Sequence, residues 1–417
     1  MDLVIEQSCP SCGAPIVLHE TDRLIGCPYC EVKNYMIGGG QARFALPDKI
    51  PSHIAREDLV YIPYLRFKGS IYYCQGQEVQ HAVIDTTRLA ITADRLPASL
   101  GLRPQAMKVV PVNADHVGHF VRQTVQPEMI CNQAIKLTTL FTLEQKQELY
   151  HRAFIGETLS RIYLPVYLQE GTLFDAVTNL EIGRAGSSWS AFVNQTISFQ
   201  QSWEPRFLST LCPRCAAPMA GETDALALHC PNCQSMWEEK DGQFIGIDWQ
   251  SVRGGREGEL AIPFWKITIE DGQDGELKSL ADFLRFTNQP VVVRGEDENL
   301  QLSFWIPAFK LNPALFLQIA HYLTVSQKRI PQGESEILGQ AYPVNLSHQE
   351  AVQSLKCVVA AAALSKKKVL PLLPSLKLPP GKITLVYLPF HDMGHDLLQE
   401  HTSVAITSAA LRFGRKL

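Results

Sequence analysis

The sequence predicts a β-rich α+β fold in which one design occurs twice in tandem. Two Cys-x2-Cys pairs recur with the same spacing 203 residues further along the 417-residue chain. Short runs rich in Val, Ile, Tyr and Phe, which are typical of strands, fill most of each half. The 27 glycines and 26 prolines separate these runs and indicate frequent turns. We therefore expect two similar halves, each a small cysteine-bearing unit followed by a mainly β body with one or two helices.

The repeat begins with the cysteines. Two sets share the spacing Cys-x2-Cys-x14-Cys-x2-Cys: Cys9, Cys12, Cys27 and Cys30, then Cys212, Cys215, Cys230 and Cys233. A Glu-Thr-Asp loop at 20–22 recurs at 222–224, and an Ile-Pro-aromatic strand at 62–64 recurs at 262–264. Matches that follow one another in the same order favour duplication over two unrelated domains that each acquired a cysteine cluster.

These matches predict four consecutive domains. We expect a four-cysteine unit at 1–40, a β-rich body at 41–202, a second unit at 203–245 and a second body at 246–417.

Each body also contains a helix-start pattern. Thr142-x-x-Gln145 and Ser347-x-x-Glu350 fit the capping box, in which the first and last side chains each satisfy the other's backbone N–H. Apolar residues at helical spacing follow in both places: Leu149, Tyr150, Ala153 and Phe154, then Leu355, Val358 and Val359. The pattern predicts one helix after each box.

The eight cysteines have the residue type and spacing of metal ligands. Two tight Cys-x2-Cys turns bring four thiolates into a tetrahedron that suits Zn²⁺. A proline after the first cysteine of each turn presets φ there; these are Pro10, Pro28, Pro213 and Pro231. In these segments the chain resembles the zinc ribbon superfamily, over less than a fifth of its length. The resemblance implies two three-stranded zinc ribbons, each stabilised by one structural Zn²⁺.

Other interpretations of the cysteines remain open. Four thiolates also hold iron, as in rubredoxin-like sites, although we expect zinc. Cys27-Pro-Tyr-Cys30 resembles a glutaredoxin motif, but such a motif needs a thiol at a helix N-terminus. Catalytic zinc is not expected, because such sites usually have three protein ligands and an open position. The other cysteines, Cys74, Cys131 and Cys357, are expected to be buried as small apolar side chains.

A polar cluster near the C-terminus provides the alternative of a metal-dependent enzyme. His391 and His395 lie four residues apart, with Asp392 and Asp396 beside them and His401 beyond. Two such histidines share a helix face and can bind a metal, whereas a solvated loop or helix start is the plainer interpretation. Asp115-His116-x-x-His119 is a weaker candidate of the same kind, and a helix start with a half-buried histidine is expected there. No nucleotide-binding or nucleophile motif occurs, so no catalytic or cofactor-binding residue is assigned.

Charge argues against nucleic-acid binding. The chain has 38 basic and 42 acidic residues. Residues 9–36 contain two basic and three acidic side chains, and residues 212–241 contain two and five. Each Zn²⁺ bound by four thiolates adds a further charge of about −2. Phosphate binding needs clustered cations, for which only Lys366–Lys368 and the tail residues Arg412, Arg415 and Lys416 are candidates.

The sequence therefore favours a non-enzymatic, zinc-binding adaptor or assembly protein with unidentified protein partners. The alternatives are a nucleic-acid-associated zinc-ribbon protein and a metal-dependent enzyme using His391 and His395. The sequence shows no signal-peptide pattern and no run long enough to span a membrane, so we expect a cytoplasmic protein. Eight strand aromatics are expected to fill the two cores, or alternatively to bind partners: Tyr64, Phe67, Tyr72, Tyr73, Phe264, Trp265, Phe304 and Trp305.

Overall fold

The computed structural model describes residues 3–37, 42–93, 95–126, 148–186, 189, 195–254, 258–270, 277–334 and 340–417. Of these residues, 41% lie in strands and 19% in helices, which confirms the β-rich α+β class.

The strands of the first half are β1 (Val4–Ser8), β2 (Pro15–His19), β3 (Leu24–Gly26), β4 (Lys33–Ile37), β5 (Ala42–Ala45), β6 (Val60–Gln75), β7 (Glu78–Leu89), β8 (Val110–Pro111), β9 (His119–Val121), β10 (Leu149–Gln169), β11 (Thr172–Asp175), β12 (Glu181–Arg184) and β13 (Thr196–Ile197). Those of the second half are β14 (Arg206–Ser209), β15 (Ala227–Cys230), β16 (Ser235–Lys240), β17 (Gln243–Ile247), β18 (Trp249–Ser251), β19 (Leu260–Ile269), β20 (Ser303–Pro307), β21 (Gln340–Ala341), β22 (Pro380–Asp392), β23 (Asp396–Leu398) and β24 (Ala405–Thr407).

The α-helices are α1 (Arg103–Ala106), α2 (Leu280–Phe286), α3 (Gly295–Asn299), α4 (Pro313–Val325), α5 (His348–Ala362), α6 (Lys366–Val369) and α7 (Ser408–Gly414). Short 3-10 turns form at Arg56–Asp58, Gln201–Trp203, Gln327–Arg329 and Leu370–Leu372. None of the helices in the described ranges has both the length and the apolar character needed to cross a membrane.

The first compact unit consists of Met1–Lys68, Ile84–Thr142 and Thr158–Thr210. Among the residues that the structure describes, nine strands form its main sheet, with the central order β12-β11-β10-β6-β9-β13. Apolar side chains of β6 and β10, such as Ile62 and Ile162, pack into its core.

The second compact unit consists of Gly69–Val83, Leu143–Glu157 and Leu211–Leu417, so it includes the ends of β6, β7 and β10. Its main sheet has the order β20-β19-β22-β23-β24, with β18 parallel to β22 and β21 parallel to β19. Helices α4 and α5 cover this sheet, and their buried side chains share one core with β19, β20 and β22.

The two predicted helices have different outcomes. The second is confirmed, because Ser347 and Glu350 form a full capping box at the start of α5. The first is wrong, because Leu149, Tyr150, Ala153 and Phe154 belong to β10. Ala153 and Ile155, two residues apart, are both buried, so the alternation of a strand prevails over helical spacing. The box Thr142–Gln145 lies outside the described residues.

The aromatic side chains expected in the cores are buried there. Tyr64, Phe67, Phe264 and Phe304 are fully buried, and the other four are at most 3% exposed. The alternative that these eight residues form partner sites is therefore wrong.

The predicted domain limits stay a prediction, and one strand departs from them. Arg206–Ser209, which the prediction places in the second four-cysteine unit, forms β14 and pairs antiparallel with β4, which follows the first cysteine set. Strands β3, β4 and β14 thus form a three-stranded sheet at the first cysteine set, and β15, β16 and β17 form one at the second. We call these two cysteine-bearing segments the first and the second ribbon.

Candidate metal centres

Each set of four cysteines converges on one point. Within each set, all four sulfur atoms lie within 4.8 Å of one another. In the part of the chain that the structure describes, these are the two places where three or more potential metal ligands meet in this way. Sulfur pairs join the two turns of each set at 3.8 Å (Cys9–Cys30), 3.7 Å (Cys12–Cys27), 3.6 Å (Cys212–Cys233) and 3.5 Å (Cys215–Cys230).

These separations suit a metal ion. A tetrahedral ion with bonds of about 2.3 Å to sulfur requires neighbouring sulfurs about 3.8 Å apart. A disulfide would bring two sulfurs to about 2.05 Å. The thiols of both sets are free, and the geometry fits one four-coordinate ion per set.

The local backbone explains why the sulfurs converge. In the first turn of each set, a backbone N–H donates to the first sulfur: Ser11 to Cys9 and Arg214 to Cys212, both at 3.4 Å. The residue after the second cysteine then donates its N–H to the carbonyl of the first. This bond recurs in all four turns, from Gly13 to Cys9, Glu31 to Cys27, Ala216 to Cys212 and Gln234 to Cys230.

That closing residue must adopt a left-handed backbone. Its φ is 75° at Gly13, 59° at Glu31, 59° at Ala216 and 54° at Gln234. Glycine adopts this conformation without a steric penalty, whereas a residue with a Cβ pays about 1 kcal/mol or more. Three of the four turns therefore carry backbone strain that the first turn of the first set avoids.

Hydrogen bonds also favour ionisation of thiols in both sets. The N–H of Ser11 is the main cause that lowers the pKa of Cys9 to about 6. Burial raises the pKa of Cys212, but the Ser235 hydroxyl and the N–H of Arg214 outweigh it and lower that pKa to about 6. Sequence reasoning missed Ser235, whose Oγ also lies 3.0 Å from Cys233 Sγ and accepts from Trp237 Nε1 at 2.7 Å.

A buried ion pair attaches the first ribbon to its body. The Arg66 side chain on β6 is fully buried, and its guanidinium contacts Glu20, in the Glu-Thr-Asp loop of the ribbon. The same guanidinium donates to both carboxylate oxygens of Asp85 at 3.0 Å. Ser160 Oγ also donates to Glu20 Oε1 at 3.0 Å. The loss of one of these partners would leave a buried carboxylate without a compensating charge or hydrogen bond, which would destabilise the fold.

The second ribbon repeats this attachment with different residues. Asp224, in the second Glu-Thr-Asp loop, accepts from Arg415 Nε at 2.9 Å and Nη2 at 2.6 Å. Asn345 Nδ2 donates to the same carboxylate at 2.8 Å. Arg415 was a candidate for phosphate binding in the sequence, and the structure places it in this internal pair instead. The repeated loop was visible in the sequence, whereas its arginine partners were not.

The histidine cluster does not form a metal site in the described residues. His391 is buried at the end of β22, with Nδ1 2.8 Å from Glu259 Oε1 and Nε2 2.8 Å from Glu400 Oε1. His395 is exposed, in the connection between β22 and β23. The helix that would align the two histidines is absent there, because β22 extends to Asp392. Asp392 and Asp396 are also exposed, and sequence reasoning missed Glu259 and Glu400.

The remaining candidates in the described residues are buried or half-buried. Cys74 and Cys357 are fully buried, and the neighbouring Cys74 together with burial raises the pKa of Cys357 well above its usual range. His116 is half-buried in a turn, 2.7 Å from Asn113 Oδ1, and burial lowers its pKa. The expected helix start is not found at this position. Cys131 lies outside the described residues.

Comparison of the chain with protein-family models, with curated proteins and with solved structures gives no match.

We predict that Ala216→Gly stabilises the protein by about 0.5–1 kcal/mol, because it removes a Cβ from a left-handed position. The matched control is Gly13→Ala, where the added Cβ meets nothing within 4 Å and only the backbone penalty acts. Urea unfolding should show opposite shifts of the midpoint. Equal or same-signed shifts would contradict the assigned strain.

We predict that Arg415→Ala lowers the free energy of unfolding by about 2 kcal/mol, because it leaves the Asp224 carboxylate buried without its bidentate partner. Arg412 lies exposed in α7, three residues before Arg415, so Arg412→Ala is the control and should change stability by less than about 0.5 kcal/mol. The prediction fails if urea denaturation gives the two variants the same stability.

Proposed function

We propose that each cysteine set binds one structural Zn²⁺. The observation that carries this proposal is the convergence of four thiols at the edge lengths of a zinc–sulfur tetrahedron. Four cysteines fill a tetrahedral shell, which is the pattern of structural rather than catalytic zinc. Iron binds the same ligands and would add redox chemistry. In the described residues, no neighbouring group at either site indicates a redox function.

Bound zinc would stabilise two small sheets that have little apolar core of their own. In the second ribbon, β15 and β16 contribute Ala227, Leu228 and Met236 as buried apolar side chains. Small units of this kind usually need a metal or disulfides to fold. The free energy of metal binding would therefore contribute directly to the folding of each ribbon.

We further propose that the protein is a non-enzymatic adaptor or assembly protein. Its metal ligands leave no open coordination position for a substrate. The second turn of the first ribbon instead exposes apolar side chains, with Tyr29 67% and Val32 43% exposed. Apolar groups beside a rigid metal-bound turn provide a suitable contact for a protein partner.

Nucleic-acid binding receives less support. Both ribbons carry net negative charge, and metal-bound thiolates add to it. Two of the candidate cations have internal roles: Arg415 pairs with Asp224, and Lys366 Nζ donates to backbone carbonyls such as that of Ala360 at 2.9 Å.

We predict two zinc ions per chain in elemental analysis of the purified protein. Cys27→Ser and Cys230→Ser should each retain one ion, because each removes a ligand from a different set. Cys357→Ser, which changes a buried thiol outside both sets, is the control and should retain two. Stoichiometric iron, or two ions in either ligand variant, would contradict the proposal.

We predict that affinity purification from cells at native expression level recovers a stoichiometric protein partner. Tyr29→Ser combined with Val32→Ser should lose this partner while keeping both metal ions. Leu180→Ser is the control, since Leu180 is also 67% exposed but lies outside the ribbons. The proposal would be contradicted if the chain were recovered alone. It would also be contradicted if the Tyr29→Ser, Val32→Ser variant retained the partner as well as the Leu180→Ser control does.

A further inference from the structure

One stretch of the second half has a charge pattern unlike the rest of the chain. From residue 351 to residue 391 the sequence has six lysines and neither acidic residues nor arginine. The whole chain carries a formal charge of −4, so this stretch concentrates positive charge in an otherwise acidic protein. Its lysines are Lys356, Lys366, Lys367, Lys368, Lys377 and Lys382.

Two of these lysines lie exposed beside an exposed apolar residue. Lys367 and Lys368 are exposed in α6, and Leu364, just before this helix, is 60% exposed. Lys366 has a different role, because its Nζ donates to the carbonyls of Ala360, Ala361 and Ala363 at the end of α5. This cap fixes the start of α6 and thereby positions the two exposed lysines next to Leu364.

Two further segments are connected to this region by hydrogen bonds. Leu364 N donates to Thr287 O at 3.0 Å, and Gln289 Nε2 donates to Ala362 O at 2.6 Å. Gln289 Oε1 in turn lies 3.3 Å from His321 Nε2, and the His321 ring stacks on Tyr322. Tyr322 is thus held next to the segment that continues from Gln289 to Val291 and Val292.

Three apolar side chains of these segments are exposed. Val291 is 44% exposed, Val292 80%, and Tyr322 50%. We call the set of Val291, Val292, Tyr322, Leu364, Lys367 and Lys368 the basic apolar patch.

The acidic helix that follows Val292 in the chain does not neutralise the patch. Helix α3 carries three acidic residues, and each already has a cation. Glu296 lies 3.8 Å from Arg294, Asp297 lies 2.9 Å from Lys328, and Glu298 contacts Arg285. The charges of Lys367 and Lys368 are therefore not offset by this helix.

We propose that the basic apolar patch binds the surface of an anionic phospholipid bilayer. Exposed aliphatic side chains insert shallowly among lipid headgroups, and a tyrosine lies well at that depth because one end is apolar and the other polar. Lysines beside them attract acidic headgroups and keep their ammonium groups in water while their stems cover apolar surface.

The chemistry of the patch favours lipid over other anionic partners. A nucleic acid is bound by clustered cations and stacking aromatics, and it gains little from exposed valine and leucine side chains. An acidic protein would pair with the lysines but would need a matched pocket for each exposed apolar side chain. A bilayer accommodates separate exposed aliphatic groups without such complementarity.

The test is flotation of the full-length, metal-loaded protein with vesicles. We expect binding to phosphatidylcholine vesicles that contain about one third phosphatidylserine, and little binding to pure phosphatidylcholine. High salt should weaken binding, because it screens the lysine–headgroup attraction.

Two variants separate the charged and apolar contributions. Lys367→Glu with Lys368→Glu, and Val292→Ser with Leu364→Ser, should each weaken vesicle binding about tenfold or more. The control Lys49→Glu with Lys278→Glu makes the same change of charge at exposed lysines outside the patch and should bind nearly as the parent does. All variants alter exposed side chains, and unchanged zinc content and circular dichroism would verify their folding.

Three outcomes would overturn the proposal. In the first, the parent chain does not bind the anionic vesicles at low salt. In the second, the control variant loses as much vesicle binding as the patch variants do. In the third, both patch variants bind the vesicles as well as the parent chain does. Binding to polyglutamate or to single-stranded DNA in place of vesicles, lost in the same patch variants, would assign the patch to an acidic protein or to nucleic acid instead.

Discussion

The central constraint on the structure is the close approach of four cysteine sulfur atoms at each of two sites. Thiolates at 3.5–3.8 Å repel one another strongly unless a cation lies between them. In the second set the pKa values lie far apart: burial raises the pKa of Cys212, but hydrogen bonds with the Ser235 hydroxyl and the Arg214 N–H lower it to about 6, while burial raises that of Cys230 to about 11. A divalent ion would allow all four thiols to ionise together. The tight turns and the short ribbon strands are the means by which the chain builds this arrangement.

The two halves use different side chains for the left-handed position of the first turn and for the buried ion pair of the Glu-Thr-Asp loop. In the first ribbon the left-handed closing position of the first turn is Gly13, and in the second it is Ala216. The buried acid of the repeated loop is Glu20 in one copy and Asp224 in the other. Its arginine comes from a central strand in the first half and from just beyond α7 in the second. Both halves therefore pair a buried acid of this loop with an arginine, but the position of the acid in the loop and the element that supplies the arginine differ.

Sequence patterns predicted features that depend on neighbouring residues. The cysteine spacing identified both sets, and the capping box located α5, because each pattern lies within one continuous segment of the sequence. Contacts between segments far apart in the sequence could not be predicted from these patterns. Nothing in the sequence links Arg66 to Glu20, or His391 to Glu259 and Glu400. The helix predicted near Leu149 failed because pairing of a long strand in the sheet overrode a local pattern that fitted both periods.

Zinc K-edge X-ray absorption on the purified, full-length protein tests the central claim most directly. A shell of four sulfur atoms at about 2.3 Å from each zinc, without nitrogen or oxygen neighbours, is the result that the eight-cysteine arrangement predicts. A shell with fewer sulfurs, or one containing nitrogen or oxygen, would show that the cysteines do not form two closed sites and would contradict the account.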